Sequence, residues 1–373
     1  MVNQIGSYLK LSYLFCYINM SKLGISDIKR WKRAFLHFFN KVSKKSSDYS
    51  ERWKIIEGFT KCKIRILKKA KINREVKDPI LICVVLNEME RIKIFLNHYR
   101  RIGIKTFAIL DNGSTDGTVE YLKKQKDVEL FQTKDRFESK IKVGWINRII
   151  SYYGTEHWYL VVDADELLVW QDVEQGRIQD VIRYLDKRNI TRARALMVDM
   201  YPKEIKWNMN VSFDEIFSEC RYFDYDTYYR KKSEELYLIC GGPRKRKLGI
   251  GAWLTKYPLF RLKNNEFLCN PHAIYPYENK KTPCYFAIMH YKFLTQNDRK
   301  KIRKYAQIGN YACNSVEYKL YLKRQRENRD NFKFYYKQSA EYQSSQSLTI
   351  IKQIDRIPQI DKSYSEEINY DEL

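Results

Sequence analysis

From Pro79 onward the chain alternates short apolar runs with segments of helical periodicity. Ile80–Leu86 is continuous, apolar and rich in β-branched residues, the pattern of a strand buried on both faces. Ile92, Phe95, Leu96 and Tyr99 follow on one helical face, and Gly103 predicts where that helix stops. Thr106–Leu110 reads as a second strand, Asp111–Gly117 as a turn, Thr118–Lys124 as a helix and Val128–Thr133 as a third strand. A helix from about Ser139 to Tyr152 and a fourth strand, His157–Val162, complete the series. Strands alternating with helices predict an α/β fold, a mostly parallel sheet with helices on both faces.

Beyond Trp170 the pattern loosens. Gln171–Lys187 predicts a helix and Ala193–Asp199 a strand. Residues 200–290 carry Tyr, Arg and Gly in short runs that suit loops and short strands around a site. Residues 297 to about 337 turn helical and basic, and the last thirty or so are polar and read as partly disordered. Before Pro79, Ile25, Ile28, Trp31, Phe35, Phe38, Phe39 and Val42 recur at helical spacing, with Lys29, Arg30, Lys32, Arg33 and Lys41 between them. Ser26 suits the N-cap. Such a helix fits two places: an anionic membrane interface, touched peripherally with the apolar face down, or the flank of the following domain with its charges in water. The chain thus divides into a basic helical extension (1–78), an α/β domain (79–296), and a helical segment with a polar tail (297–373).

Hydrophobic residues make up 44% of the 373 positions, enough for a sizeable core. The formal net charge of +24 suits an anionic partner, whether nucleic acid, membrane surface or acidic substrate, or else a lysine-rich solvated surface. Nineteen Lys and Arg against six Asp and Glu lie between Met1 and Asp78, so the excess concentrates there. The eight cysteines form no CxxC pair and read as reduced thiols, as in the cytosol. No apolar run approaches the ~20 residues of a membrane-spanning helix. Leu11–Met20 also lacks the flanks of a signal peptide, so a cytoplasmic protein is expected.

Three chemical segments each follow a predicted strand: Val84–Glu88, Asp111–Thr118 and Val161–Glu166. In open α/β sheets, ligands bind beyond the carboxyl ends of the strands, so the three should share one crevice. Alternation at a strand end would aim Asp163 and Asp165 to one side, where two carboxylates suit Mg²⁺ or Mn²⁺ bridging a diphosphate. Asn112-Gly113 makes a tight turn, and Ser114, Thr115 and Asp116 can cap the next helix. Asp111 either belongs to that turn or accepts hydrogen bonds from a base or ribose. In Gly241–Arg246, glycines allow close backbone approach, while Arg244 and Arg246 offer guanidinium forks to phosphate or sit on a basic surface loop.

These residues resemble glycosyltransferase family 2: Asn87-Glu88, then Asp111-Asn-Gly-Ser-Thr-Asp-Gly-Thr118, then Asp163-Ala-Asp165-Glu166. Within it the chain is similar to the bacterial branch labelled "glycosyl transferase family 2, type 4". Gly241–Arg246, Lys256-Tyr-Pro-Leu259 and His290-Tyr-Lys-Phe-Leu294 extend the likeness, which covers about Pro79 to Tyr311. The resemblance implies a GT-A (Rossmann-like) fold, a nucleotide-diphosphate sugar donor, and Mn²⁺ or Mg²⁺. It implies inverting transfer to a hydroxyl of a glycan or lipid-linked acceptor in lipopolysaccharide or capsule synthesis. It assigns Asn87, Glu88, Asp111 and Asp116 to the nucleotide pocket, Asp163 and Asp165 to metal and donor, and His290 to metal or diphosphate, with His272 a second late histidine. An inverting enzyme needs a carboxylate base. No Glu-Asp pair marks one here, and Asp199 and Asp224 are favoured over Asp226, Glu234 and Glu235.

Two other classes compete. A sugar nucleotidyltransferase needs a glycine-rich basic loop after the first strand, where this chain has the acidic Asn87-Glu88-Met89-Glu90. A nucleic-acid-binding module would use the charge but leaves the Asp-rich strand ends unexplained, so no nucleic-acid partner is expected.

Overall fold

The computed structural model describes residues 28–40, 47–70, 78–204, 213–232, 236–263, 265–270, 272–277, 282–292, 296–309, 312–327 and 332–357. In chain order the strands are β1 (Arg65–Lys68), β2 (Ile80–Val85), β3 (Thr106–Asp111), β4 (Val128–Gln132), β5 (Tyr159–Val161), β6 (Glu166–Val169), β7 (Arg192–Asp199) and β8 (Tyr222–Phe223). They continue with β9 (Tyr229–Lys232), β10 (Tyr237–Cys240), β11 (Thr255–Phe260), β12 (Phe267–Asn270), β13 (Ala273–Tyr275), β14 (Cys284–His290) and β15 (Ala340–Glu341). Nine of them form one sheet in the order β1-β4-β3-β2-β5-β11-β7-β14-β6.

The four strands predicted between Ile80 and Val162 are present as β2 to β5, and they pair in parallel. Helices Met89–Arg101, Thr118–Lys123 and Ser139–Tyr153 connect them. Side chains alternate between the two faces, as strand geometry requires. Leu81, Cys83, Val85, Phe107 and Ile109 pack under Phe95, Leu96 and Tyr99. Ile80, Ile82, Ala108 and Leu110 face Trp145, Ile146 and Ile149 on the other side. Helices cover both faces, so the predicted α/β class holds.

The second half of the sheet is mixed. β11 runs antiparallel to both β5 and β7, and β14 is parallel to β7 but antiparallel to β6. The sequence pattern assigned no strand to Glu166–Val169, and the helix predicted from Gln171 begins only at Ile178. A flat sheet would set β5 and β6 four strand spacings apart, or about 19 Å. The connection is a tight turn: Glu166 N donates to Asp163 O at 3.1 Å, and Asp163 N donates to Glu166 Oε2 at 3.2 Å. So short a turn cannot bridge that gap, and this half of the sheet curls until β6 stands near the end of β5. The outer edge of β6 is satisfied by a helix. Tyr99 Oη takes a hydrogen bond from Leu168 N at 3.0 Å and gives one to Glu166 O at 2.9 Å. His98 Nε2 meets Leu168 O at 2.8 Å, and burial pulls His98 down to about 4, so the ring is neutral and donates.

The N-terminal helices pack on the domain. Trp31 and Phe35 have no exposed surface. Phe59 lies 4.8 Å from the Trp31 ring and 5.3 Å from the Phe35 ring, and Phe267 lies 4.8 Å from Phe35. Arg30 is buried too, and it donates to Lys263 O at 2.9 Å and Glu266 O at 2.7 Å. Trp31 and Phe35 thus face the flank of the domain rather than solvent. Ile25, Ser26 and Val42 lie outside the described residues. Among the described residues no helix is long and apolar enough to cross a membrane.

The described part of the C-terminal tail is docked on the domain. Leu348 and Ile351 join the core. Ala340–Glu341 pairs with β8, and Asp355 exchanges backbone and carboxylate hydrogen bonds with Cys284, both at 2.8 Å. A few apolar anchors and backbone pairing suffice to dock a segment whose composition is polar. Residues 358–373 lie outside the described residues. Cys62, Cys83, Cys220, Cys240, Cys269 and Cys284 are buried free thiols.

Helix Ser47–Thr60 crosses helix Ser139–Tyr153 through two glycines. A Cβ on Gly144 would come within 2.3 Å of Ile55 O, and one on Gly58 within 2.4 Å of Ile141 O. Backbone cannot retreat as a flexible side chain can. Gly144→Ala is therefore expected to destabilise the fold by about 1–3 kcal/mol, as overpacking does, measured by urea unfolding. Unchanged stability would mean that the helices do not approach so closely.

Candidate functional site

The carboxyl ends of β2 and β3 carry the first two motifs, and four hydrogen bonds lock them together. Asn87 N donates to Ser114 Oγ at 2.8 Å, Glu88 N to Thr118 Oγ1 at 3.1 Å, and Met89 N to Asp116 Oδ2 at 3.0 Å. In return Thr115 N donates to Asn87 Oδ1 at 2.7 Å. Asn87 holds a left-handed backbone, φ 56°, which asparagine tolerates better than most residues. Asp111 has no exposed surface. Its oxygens accept from Gly113 N, Ser114 N and Gln132 Nε2, each at 3.0 Å. Of the two expectations for Asp111, the turn is the one the geometry realises. Asp116 Oδ1 accepts from Thr118 N at 3.0 Å, capping the helix from one residue before its left-handed N-cap, Gly117. Lys301, from helix Gln296–Ile308, reaches Asn87 O at 3.1 Å and Glu88 Oε1 at 2.8 Å. Arg91 joins Glu88 to Asp298 of that same helix.

The third motif is the turn between β5 and β6, not an extended strand end. Asp163 and Asp165 lie close enough for Asp165 to oppose ionisation of Asp163, yet they hold different partners. Asp163 pairs with Lys142 and lies 3.8 Å from Lys256. Lys256, on β11, also grips the buried Glu166. Asp165 Oδ2 lies 3.5 Å from His290 Nε2 at the end of β14. Asp165, Glu166 and His290 each present a possible ligand atom, all within 4.8 Å of one another. Carboxylate oxygens with one imidazole suit Mn²⁺, and less well Mg²⁺. Of the expected set, Asp165 and His290 belong to this group, Asp163 does not, and Glu166 stands with them although Lys256 pairs with it. Lys142, Lys256 and Glu166 were not singled out from sequence. Lys256 and Glu166 stood inside quoted motifs, and Lys142 interrupts an otherwise apolar helix face.

The electrostatics follow from burial opposed by partners. Burial disfavours the His290 imidazolium, but Asp165 and Asp199 outweigh it and raise the ring to about 9. Burial likewise opposes ionisation of Asp165, and His290 overcomes it, holding the carboxyl well below the usual range. Glu88 moves the other way, because burial raises it against the pull of Arg91 and Lys301.

The arginine and base expectations are corrected. Gly242–Leu248 is a short helix rather than an extended phosphate loop, and both arginines are bound internally. Arg244 Nε donates to Asp199 Oδ2 at 2.8 Å, and Nη1 lies 3.3 Å from Glu317 Oε1. Arg246 forks onto Asp224 at 2.9 and 2.8 Å and reaches Phe334 O at 2.7 Å. Neither guanidinium is free to cradle a phosphate. Asp224 has no exposed surface and also accepts from Tyr201 Oη at 2.6 Å and Thr227 Oγ1 at 3.0 Å. A carboxylate so enclosed cannot meet an acceptor hydroxyl, so Asp224 is an anchor and not the base. Asp226 is exposed, with Tyr336 Oη donating to it at 3.3 Å. Glu234 and Glu235 lie outside the described residues. His272 Nδ1 meets Thr255 O at 2.6 Å, and its enclosure, with Lys256 nearby, lowers it to about 4.

The chain is thus an α/β protein whose acidic, histidine-bearing cleft lies beyond the ends of its central strands. No protein-family model matches it, and no curated protein matches it. Among solved structures, the crystal structure of S. aureus TarS 1–349 is similar over 67% of this chain and 72% of that one, at 13% identity and a TM-score of 0.27. So loose a superposition carries no argument, and the functional reading rests on the residues.

Removing Arg246 would strand the fully buried Asp224. Arg246→Ala is expected to lower stability by about 3 kcal/mol, seen as an earlier urea midpoint. A variant as stable as the parent would show that Asp224 does not depend on the guanidinium.

Proposed function

We propose that this chain transfers a sugar from a nucleotide-diphosphate donor to a hydroxyl of a glycan or lipid-linked acceptor, with Mn²⁺ or Mg²⁺, in bacterial surface-polysaccharide synthesis. The observation that carries the reading is the meeting of Asp165 and His290 beside the interlocked Asn87 and Asp111–Thr118 segments, at the ends of one set of strands. Those are the motifs in which the chain resembles glycosyltransferase family 2. Asp165, Glu166 and His290 would hold the cation, which would neutralise charge developing on the leaving diphosphate. Lys142 and Lys256 keep Asp163 and Glu166 paired within the cleft. A Cβ at Gly113 or Gly117 would meet nothing within 4 Å, so the outer face of that loop is open for a nucleoside to lie against. Among the described carboxylates first considered for the base, Asp226 is the exposed one.

A panel of nucleotide sugars, with and without Mn²⁺, tests this by thermal shift, since a ligand of the native fold raises the melting temperature by mass action. One donor is expected to stabilise the protein in Mn²⁺ and to do so weakly without it. Asp165→Asn is expected to fold normally and to lose about 10² or more in turnover. No stabilising donor, or a variant still within about twofold of the parent where ~10² is expected, would overturn the proposal.

A further inference from the structure

We infer that Asp199 positions His290, holding Nδ1 so that Nε2 is offered on the Asp165 side, and is not the base that deprotonates the acceptor. The inference rests on the metal-assisted reading above.

β7 and β14 run in parallel with Asp199 opposite His290, so adjacent strand ends present the two side chains together. His290 Nδ1 lies 2.6 Å from Asp199 Oδ1. An ionised carboxylate only accepts, so Nδ1 keeps its proton, and Nε2, giving up its own when a cation binds, is the nitrogen left to act as a ligand. Nε2 faces Asp165 Oδ2 at 3.5 Å. Met200 N donates to His290 O at 2.9 Å, fixing the backbone as Asp199 fixes the ring. A carboxylate behind a ligating imidazole sets its tautomer and raises its basicity.

The other oxygen of Asp199 is committed as well. Oδ2 accepts from Arg244 Nε at 2.8 Å, and Glu317 ties Arg244 to Lys292. With 8% exposure and each oxygen already accepting a hydrogen bond, Asp199 lacks the access a substrate hydroxyl would need. Positioning explains each of these contacts, whereas general-base catalysis explains none.

The test is Mn²⁺ titration of the full chain by calorimetry, without donor, comparing the parent with Asp199→Asn and Asp199→Ala. Asparagine can still accept from Nδ1–H and alanine cannot. Asp199→Ala is expected to weaken Mn²⁺ binding about 10–100-fold, and Asp199→Asn should recover most of that loss. In ¹⁵N spectra of the histidines at alkaline pH, where His290 keeps one proton, that proton is expected to sit on Nδ1 in the parent and in Asp199→Asn, and to redistribute in Asp199→Ala. If Asp199→Ala does not fold, Asp199→Asn decides: near-parental Mn²⁺ affinity with Nδ1 still protonated supports positioning, and a redistributed proton rejects it. Parental binding that Asp199→Ala leaves unchanged overturns this inference alone. Absence of Mn²⁺ binding by the parent overturns the metal-assisted reading on which it stands.

Discussion

The tight turn from Asp163 to Glu166 is the constraint on which the site depends. It closes a distance that a flat sheet would leave at about 19 Å, and so the mixed half of the sheet must curl. That curl brings β14 and its His290 to Asp165, and β11 and its Lys256 to Glu166. Without it the acidic motif would end a strand with neither His290 nor Lys256 beside it.

Curling encloses charge, and enclosed charge must be paired. The cleft meets that demand with contacts spread over many elements: Lys142 from a helix, Lys256 from β11, Asp199 from β7, Arg244 from a short helix and Glu317 from the C-terminal helix Ala312–Glu327. Such pairs add little net stability, because desolvation offsets attraction, but losing one member is costly. The consequence is specificity of placement. Arg246 and Asp224 hold the segment after β8 in register, and Arg91, Lys301 and Asp298 tie the helix Gln296–Ile308 over the first motif.

The basic N-terminal segment turns part of an apolar helix face inward. Its positive charge fits an anionic surface, yet Trp31, Phe35 and even Arg30 are buried against the domain. The segment Ser47–Thr60 settles onto Ser139–Tyr153 because Gly58 and Gly144 let the backbones touch. Burial at that crossing supports the helix that carries Lys142, so the extension buttresses the cleft from behind.

The sequence by itself determined the parallel strands β2 to β5, the helices between them and the three motif positions. Each rests on local periodicity or turn chemistry that acts over a few residues. It also marked Asp165 and His290, which the structure unites. It left undecided whether Asp111 served a turn or a ligand, and it misjudged Asp224, Arg244 and Arg246. A carboxylate or guanidinium looks the same in a sequence whether its partner is a substrate or a residue far along the chain. Only tertiary structure decided that Arg244 meets Asp199, that Arg246 meets Asp224 and that Glu166, not Asp163, stands with Asp165 and His290. Those outcomes depend on how a curled sheet brings distant strand ends together, and no window along the chain contains both partners.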